Sequence, residues 1–180
     1  MSARTLTELF FAGVERYADH PAAFRYKADG AWRPVTHREV AERVKAFGAG
    51  LVELGIRQGD RVGILAETRL EWALADYACL CVRAADVPIY PTLPANQAEY
   101  ILRDSGAVAV VCSTAAQVAK VRAVRGALPA LRHVIAFDSG AGGDGVISLA
   151  QVEASGRAAA AGTPASGRTR SRSRPETWRP

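Results

Sequence analysis

The stretch Gly59 to Thr92, GDRVGILAETRLEWALADYACLCVRAADVPIYPT, limits the fold more than any other part of the chain. Arg61-Val62-Gly63-Ile64-Leu65 is a short apolar run entered from the turn pair Gly59-Asp60. A continuous apolar run bounded by turn residues reads as a buried strand. Thr68 is placed to cap a following helix, with Trp72, Leu74, Tyr77, Leu80 and Cys81 as its stripe. Val87-Pro88-Ile89-Tyr90-Pro91 is a second extended run, because the residue before a proline is driven out of the helical region. Strand, helix, strand with an apolar first strand is a βαβ unit. It predicts an α/β fold whose sheet is mostly parallel and covered by helices.

The flanking segments extend this pattern. Thr5-Leu6-Thr7-Glu8 fits a capping box, followed by an apolar face of Leu6, Leu9, Phe10, Val14 and Tyr17 that is expected to pack on the core. A membrane-surface role for this helix is disfavoured, since Glu8, Glu15 and Asp19 offset Arg4 and Arg16. Ala22–Tyr26 and Trp32–Val35 flank an Asp29-Gly30 turn and predict a small antiparallel hairpin. Thr36-His37-Arg38-Glu39 is a second capping box. Val40, Val44, Phe47, Leu51 and Leu54 follow at helical spacing, and Gly55 is the stop.

Downstream, Pro94-Ala95 opens a helix with Ala98, Ile101 and Leu102 inward and Gly106 as its end. Ala107–Cys112 reads as a central strand. Ser113 or Thr114 caps a helix carrying Val118, Val121 and Val124, and Leu131–Phe137 is a further strand. Gly140-x-Gly142-x-x-Gly145 matches a dinucleotide pattern by letter. Val146-Ile147 follows it directly, so the pattern reads as a surface loop with no helix start to receive a pyrophosphate. Ser148 to about Ala154 is expected to be one last short helix.

At 180 residues one domain is expected, and the hydrophobic content of 49% allows a sizeable core. The net charge of +5 lies mostly in Thr163–Pro180, where Arg168, Arg170, Arg172, Arg174 and Arg179 face only Glu176. That segment, rich in Arg, Ser and Pro, is expected to be a disordered tail beyond a folded unit of residues 1–162. Cys79, Cys81 and Cys112 have no framework spacing and read as reduced core thiols of a cytoplasmic protein. No segment has the run of apolar residues a membrane-spanning helix needs.

The residues reveal no catalytic constellation. His20, His37 and His133 sit in unrelated contexts without metal-ligand spacing. Ser105, Ser113 and Thr114 lack a base placed by any local pattern. No catalytic, cofactor-binding or metal-ligating residue is assigned.

Gly59-Asp60-Arg61-Val62, Glu71-Trp72, Asp86–Thr92 and Tyr100–Gly106, in that order, resemble the N-terminal part of AMP-forming acyl-CoA synthetases, closest to long-chain fatty acid–CoA ligases. The likeness runs from about Leu6 to about Gly162. It implies the N-terminal subdomain of the adenylate-forming enzyme fold. For an intact family member it implies a fatty acid activated with ATP and magnesium to acyl-AMP, then transferred to CoA. The phosphate loop, nucleotide-binding residues, magnesium ligand and mobile-domain lysine that the resemblance implies have no matching positions here. The chain is therefore expected to be a truncated ligase, inactive alone and binding no cofactor, with peripheral membrane contact left open. The composition switch at Thr163 reads as a shifted reading frame in a GC-rich gene. The alternative is a non-catalytic binding module whose basic tail meets RNA or acidic surfaces by charge. One departure stands out: the resemblance implies a glycine just before the Ala-Asp-Val-Pro-Ile-Tyr run, where this chain has Arg83. A left-handed corner there would cost an arginine about 1 kcal/mol.

Overall fold

The computed structural model describes residues 3–141 and 145–162. The tail from Thr163 and Gly142 of the glycine-rich loop lie outside the described residues. In chain order the elements are α1 (Leu6–Arg16), β1 (Phe24–Ala28), β2 (Ala31–Val35), α2 (His37–Glu53), β3 (Arg61–Leu65), α3 (Leu70–Cys81) and β4 (Ala85–Ile89). Then follow α4 (Ala95–Asp104), β5 (Ala109–Cys112), α5 (Ala115–Val124), β6 (His133–Ala136), β7 (Val146–Ser148) and α6 (Leu149–Gly162). β1 and β2 form the antiparallel hairpin, and the other strands form one parallel sheet in the order β4-β3-β5-β6-β7.

Alternation along the strands splits the core into two apolar layers. Val62, Ile64, Ala109, Val111 and Ile135 face α2, α3 and α6 through Phe47, Leu51, Ala78, Cys79 and Val152. Leu65, Val110, Cys112, Val134 and Ala136 face α4 and α5 through Ala98, Leu102, Val118 and Val121. Both faces of the sheet are thus covered, as an apolar parallel strand requires. Pro88 is tolerated in β4 because β4 is an edge strand. The α2 capping box forms as read: Thr36 Oγ1 accepts from the Glu39 amide, and the Glu39 carboxylate accepts from the Thr36 amide at 2.7 Å. The hairpin turns on Asp29 and Gly30, both at positive φ, the two-residue geometry that twisted strands favour.

Several expectations need correction. Thr68 does not cap α3; Arg69 occupies the cap and gives no side-chain bond. The buried stripe of α3 is Leu74, Ala75, Ala78 and Cys79, because small residues let the helix lie close to β3, whereas Trp72, Tyr77, Leu80 and Cys81 are only half-buried. The second extended run pairs two residues earlier than read, over Ala85–Ile89. Glu8 bonds the Arg4 amide rather than that of Thr5, so the first box is offset by one residue. No residue of α1 is buried: Phe10 packs against Tyr77, but Leu6 and Leu9 face solvent along an apolar groove of about 580 Å³.

The sequence reading also missed β7 and most of α6. β7 is too short for a period to show. Ser148 and Gln151 exchange backbone and side-chain hydrogen bonds at the start of α6, which then runs through Gly162 instead of ending near Ala154. α6 crosses α2 at backbone contact. A Cβ on Gly156 would stand 1.9 Å from the Ala46 carbonyl oxygen, and one on Gly50 would stand 2.1 Å from that of Val152. Beside the crossing, buried Glu153 accepts from Arg43 at 3.0 Å and from Arg157 at 2.8 Å.

α2, α3 and α4 all end in the same device. After each, two amides turn back to the last turn's carbonyls: Gly55 and Ile56 to Val52 and Leu51, Arg83 and Ala84 to Leu80 and Cys79, Gly106 and Ala107 to Arg103 and Leu102. This stop needs a left-handed residue at its pivot. Gly55 and Gly106 supply it with φ of 82° and 62°; Arg83 is forced to 63°.

Two outcomes follow. Gly156→Ala is expected to push α6 off α2 and cost about 3 kcal/mol in chemical denaturation, because the obstacle is backbone rather than a movable side chain. Arg83→Gly is expected to raise stability by about 1 kcal/mol, read as a higher denaturation midpoint at unchanged slope.

Candidate functional site

In open α/β sheets, ligands bind beyond the carboxyl ends of the strands where the winding direction reverses. Here β3 is followed by β4 on one side and β5 on the other, so the reversal lies between β3 and β5. Beyond those strands stand Ala66, Glu67 and Thr68, and Ser113 and Thr114. A groove of about 760 Å³ opens at this edge, lined by Ala66–Thr68, Trp72 and Pro88–Thr92.

The side-chain donors behind the groove are all engaged, while the buried Gln117 Oε1 has no partner among the described residues. Thr114 rather than Ser113 caps α5, leaving the fully buried Ser113 hydroxyl to donate to the Glu67 carboxylate. Gln117, buried on the first turn of α5, donates its amide to Glu67 at 3.0 Å and to the Pro91 carbonyl at 3.1 Å. Lys120, one turn on, donates to the carbonyls of Pro91 at 2.6 Å and Leu93 at 2.9 Å. α5 thereby ties the ends of β3 and β5 to the loop after β4, which forms one wall of the groove. Sequence reading missed this set because Glu67, Ser113 and Lys120 are far apart in the chain and match no motif.

The chemistry of this cluster is that of a clamp. The Ser113 hydroxyl, above all, holds Glu67 below the ordinary carboxylate range, outweighing a partial desolvation that acts the other way. A carboxylate so stabilised is a weaker base than an ordinary one. With Lys120 and the Gln117 amide already engaged, these residues do not fit a magnesium–triphosphate, and no step is routed through one.

The other sequence candidates fall elsewhere. His20 and His37, read as unrelated, are brought together by the hairpin, with ring centroids 6.3 Å apart and Tyr17 stacked on His37 at 5.7 Å. His133 begins β6 at the opposite edge of the sheet, its pKa lowered by burial. Cys79 and Cys112 are free thiols in the two apolar layers; burial pushes Cys112 up to about 12 and Cys79 higher, so neither is a thiolate at neutral pH. Asp76 is half-buried on α3 and its pKa is raised by desolvation and then by Asp86. Among the described residues, no group of three or more His, Cys, Asp or Glu is placed to hold a metal ion.

A parallel sheet with a reversal groove, preceded by a hairpin, defines a layered α/β fold. The family model described as AMP-binding enzyme matches residues 10–172, and the chain belongs to that family. It is similar to the long-chain-fatty-acid–CoA ligase FadD15 of Mycobacterium bovis, at 41% identity over 71% of this chain and 21% of that protein. It is also similar to the long-chain-fatty-acid–CoA ligase heimdall of Drosophila melanogaster, at 32% identity over 73% of this chain and 20% of the relative. Among solved structures, the anthranilate CoA ligase AuaEII in complex with anthranoyl-AMP superposes with a TM-score of 0.69 at 27% identity, over 78% of this chain and 27% of that one. The chain thus spans about a fifth of the length of each of these two ligases. None of the described helices is long and apolar enough to cross a membrane.

Glu67→Gln is expected to lower stability at pH 7 by weakening the Ser113 bond. A depressed folded-state pKa contributes stability above the ordinary value of 4.5 and loses it as pH falls through the folded value. The gap between wild type and variant in urea midpoints is therefore expected to close below that pH.

Proposed function

We propose that residues 1–162 are the N-terminal α/β subdomain of a cytoplasmic long-chain fatty acid–CoA ligase, and that these 180 residues alone turn nothing over. The whole enzyme would activate a long-chain fatty acid with ATP and magnesium to acyl-AMP and pass the acyl group to CoA. The observation that carries this reading is the 41% identity to a ligase of that class over 127 residues. The clamp at the strand ends supports the inactive half of the reading, since its Ser113, Gln117 and Lys120 donors are already engaged. In this reading the subdomain contributes a rigid wall, Tyr90 to Leu93, held by Gln117 and Lys120 from behind.

Two assays test it. The purified chain with ATP, magnesium and palmitate is expected to release pyrophosphate only at background; turnover above background overturns the inactive half. A chimera carrying residues 6–162 in place of the matching segment of the Mycobacterium bovis relative is expected to retain palmitoyl-CoA formation. A folded chimera without it overturns the family role.

A further inference from the structure

Arginines crowd the amino-terminal edge of the parallel sheet, opposite the groove. Arg57 precedes β3, Arg61 begins it, Arg83 precedes β4, and Arg132 precedes β6, with Arg125 at the end of α5. Backbone and side-chain contacts make them one patch. The Arg57 amide and the Arg132 guanidinium share the Asp60 carboxylate at 2.8 and 3.4 Å. Arg125 donates to the Arg132 carbonyl, Arg61 to the Gly59 carbonyl, and the Gly59 amide to the Arg83 carbonyl. Arg57, Arg61, Arg83 and Arg132 are exposed. Asp60 is the carboxylate that contacts the patch; Glu53 and Asp104 stand at its margins on the last turns of α2 and α4.

Most of these cations have a local task. Arg57 donates to the carbonyls of Val52 and Ile56, and Arg61 to those of Ser105 and Gly106, covering helix ends. Arg83 differs. Among the described residues its guanidinium has no hydrogen-bond or ion-pair partner, and its backbone sits at φ 63°, a conformation that favours glycine. A strained residue whose side chain stabilises nothing within the fold points to a task outside it.

We propose that this edge is a docking surface for an anionic lipid bilayer, with Arg83 as its free contact. A cluster of exposed guanidiniums matches phosphodiester headgroups by charge and hydrogen bonding. Among the described residues the large exposed aromatic side chains, Tyr17, Tyr26, Trp32, Tyr90 and Tyr100, belong to other elements, so these residues give the patch no stacking platform of the kind single-stranded nucleic acid uses. The choice of a bilayer rests on the proposed ligase function, whose long-chain substrate partitions into membranes. Docking by the edge opposite the groove leaves the groove open.

The test is flotation of the full chain with phosphatidylcholine vesicles containing one-third phosphatidylglycerol, without ATP or fatty acid, so its failure is separable from failure of the ligase reading. The basic tail is common to all variants and cancels. Wild type is expected to bind these vesicles in low salt, and to bind pure phosphatidylcholine much less. Arg83→Gly is expected to weaken binding about fivefold while folding more stably, and adding Arg132→Gln a further factor of about five. Arg83→Lys, which keeps the charge, is expected to bind as wild type. Arg25→Gln on the hairpin, an equal charge loss outside the patch, is expected to leave affinity within about twofold. Undiminished binding by Arg83→Gly, or an equal loss in Arg25→Gln, overturns the proposal. So does an Arg83-dependent affinity for a single-stranded RNA with none for vesicles.

Discussion

Both faces of β3 and β5 must be dry, and that requirement organises the molecule. The strands carry Val62, Ile64, Ala109 and Val111 toward one side and Leu65, Val110 and Cys112 toward the other. An apolar strand with water on either face forfeits about 25 cal/mol for each Å² left exposed. A crossover helix must therefore return on each side. The α2–α6 crossing completes one layer, and it closes to backbone contact because Gly50 and Gly156 offer no side chain to hold the helices apart. The α4–α5 layer completes the other.

The two edges of the sheet have different chemistry as a consequence of its parallel winding. All strands start at one edge, where α2, α3 and α4 also end. Their last carbonyls gather there, and guanidiniums from Arg57 and Arg61 meet them. At the carboxyl edge the strands stop and α5 begins, so side chains at its start, Ser113 and Gln117, reach across to Glu67 and to the loop after β4. One edge is cationic and convergent; the other is a clamp with a groove beside it.

The framework was legible because it is local. The Thr36–Glu39 box, the Gly55 and Gly106 stops and the apolar runs of β3 and β5 are written within a few residues of where they act. The left-handed corner at Arg83 was implied by the family resemblance, and the structure places it at positive φ. Three features were not legible. β7 is three residues long and strand-like only because β6 lies beside it. α6 is alanine-rich without a stripe, and its burial is decided by α2. The serine–glutamate–glutamine clamp joins residues as much as 50 positions apart, so no local pattern announces it.

By itself the sequence determined the class of fold and the order of most elements, because periodicity, caps and turn residues act over one or two turns of chain; the family showed in a resemblance of several segments in order. Only the tertiary structure decided which helix face is buried, how close α6 comes to α2, and which distant side chains share a hydrogen bond. Those depend on packing volume and on distances through space, which a linear order of residues does not contain.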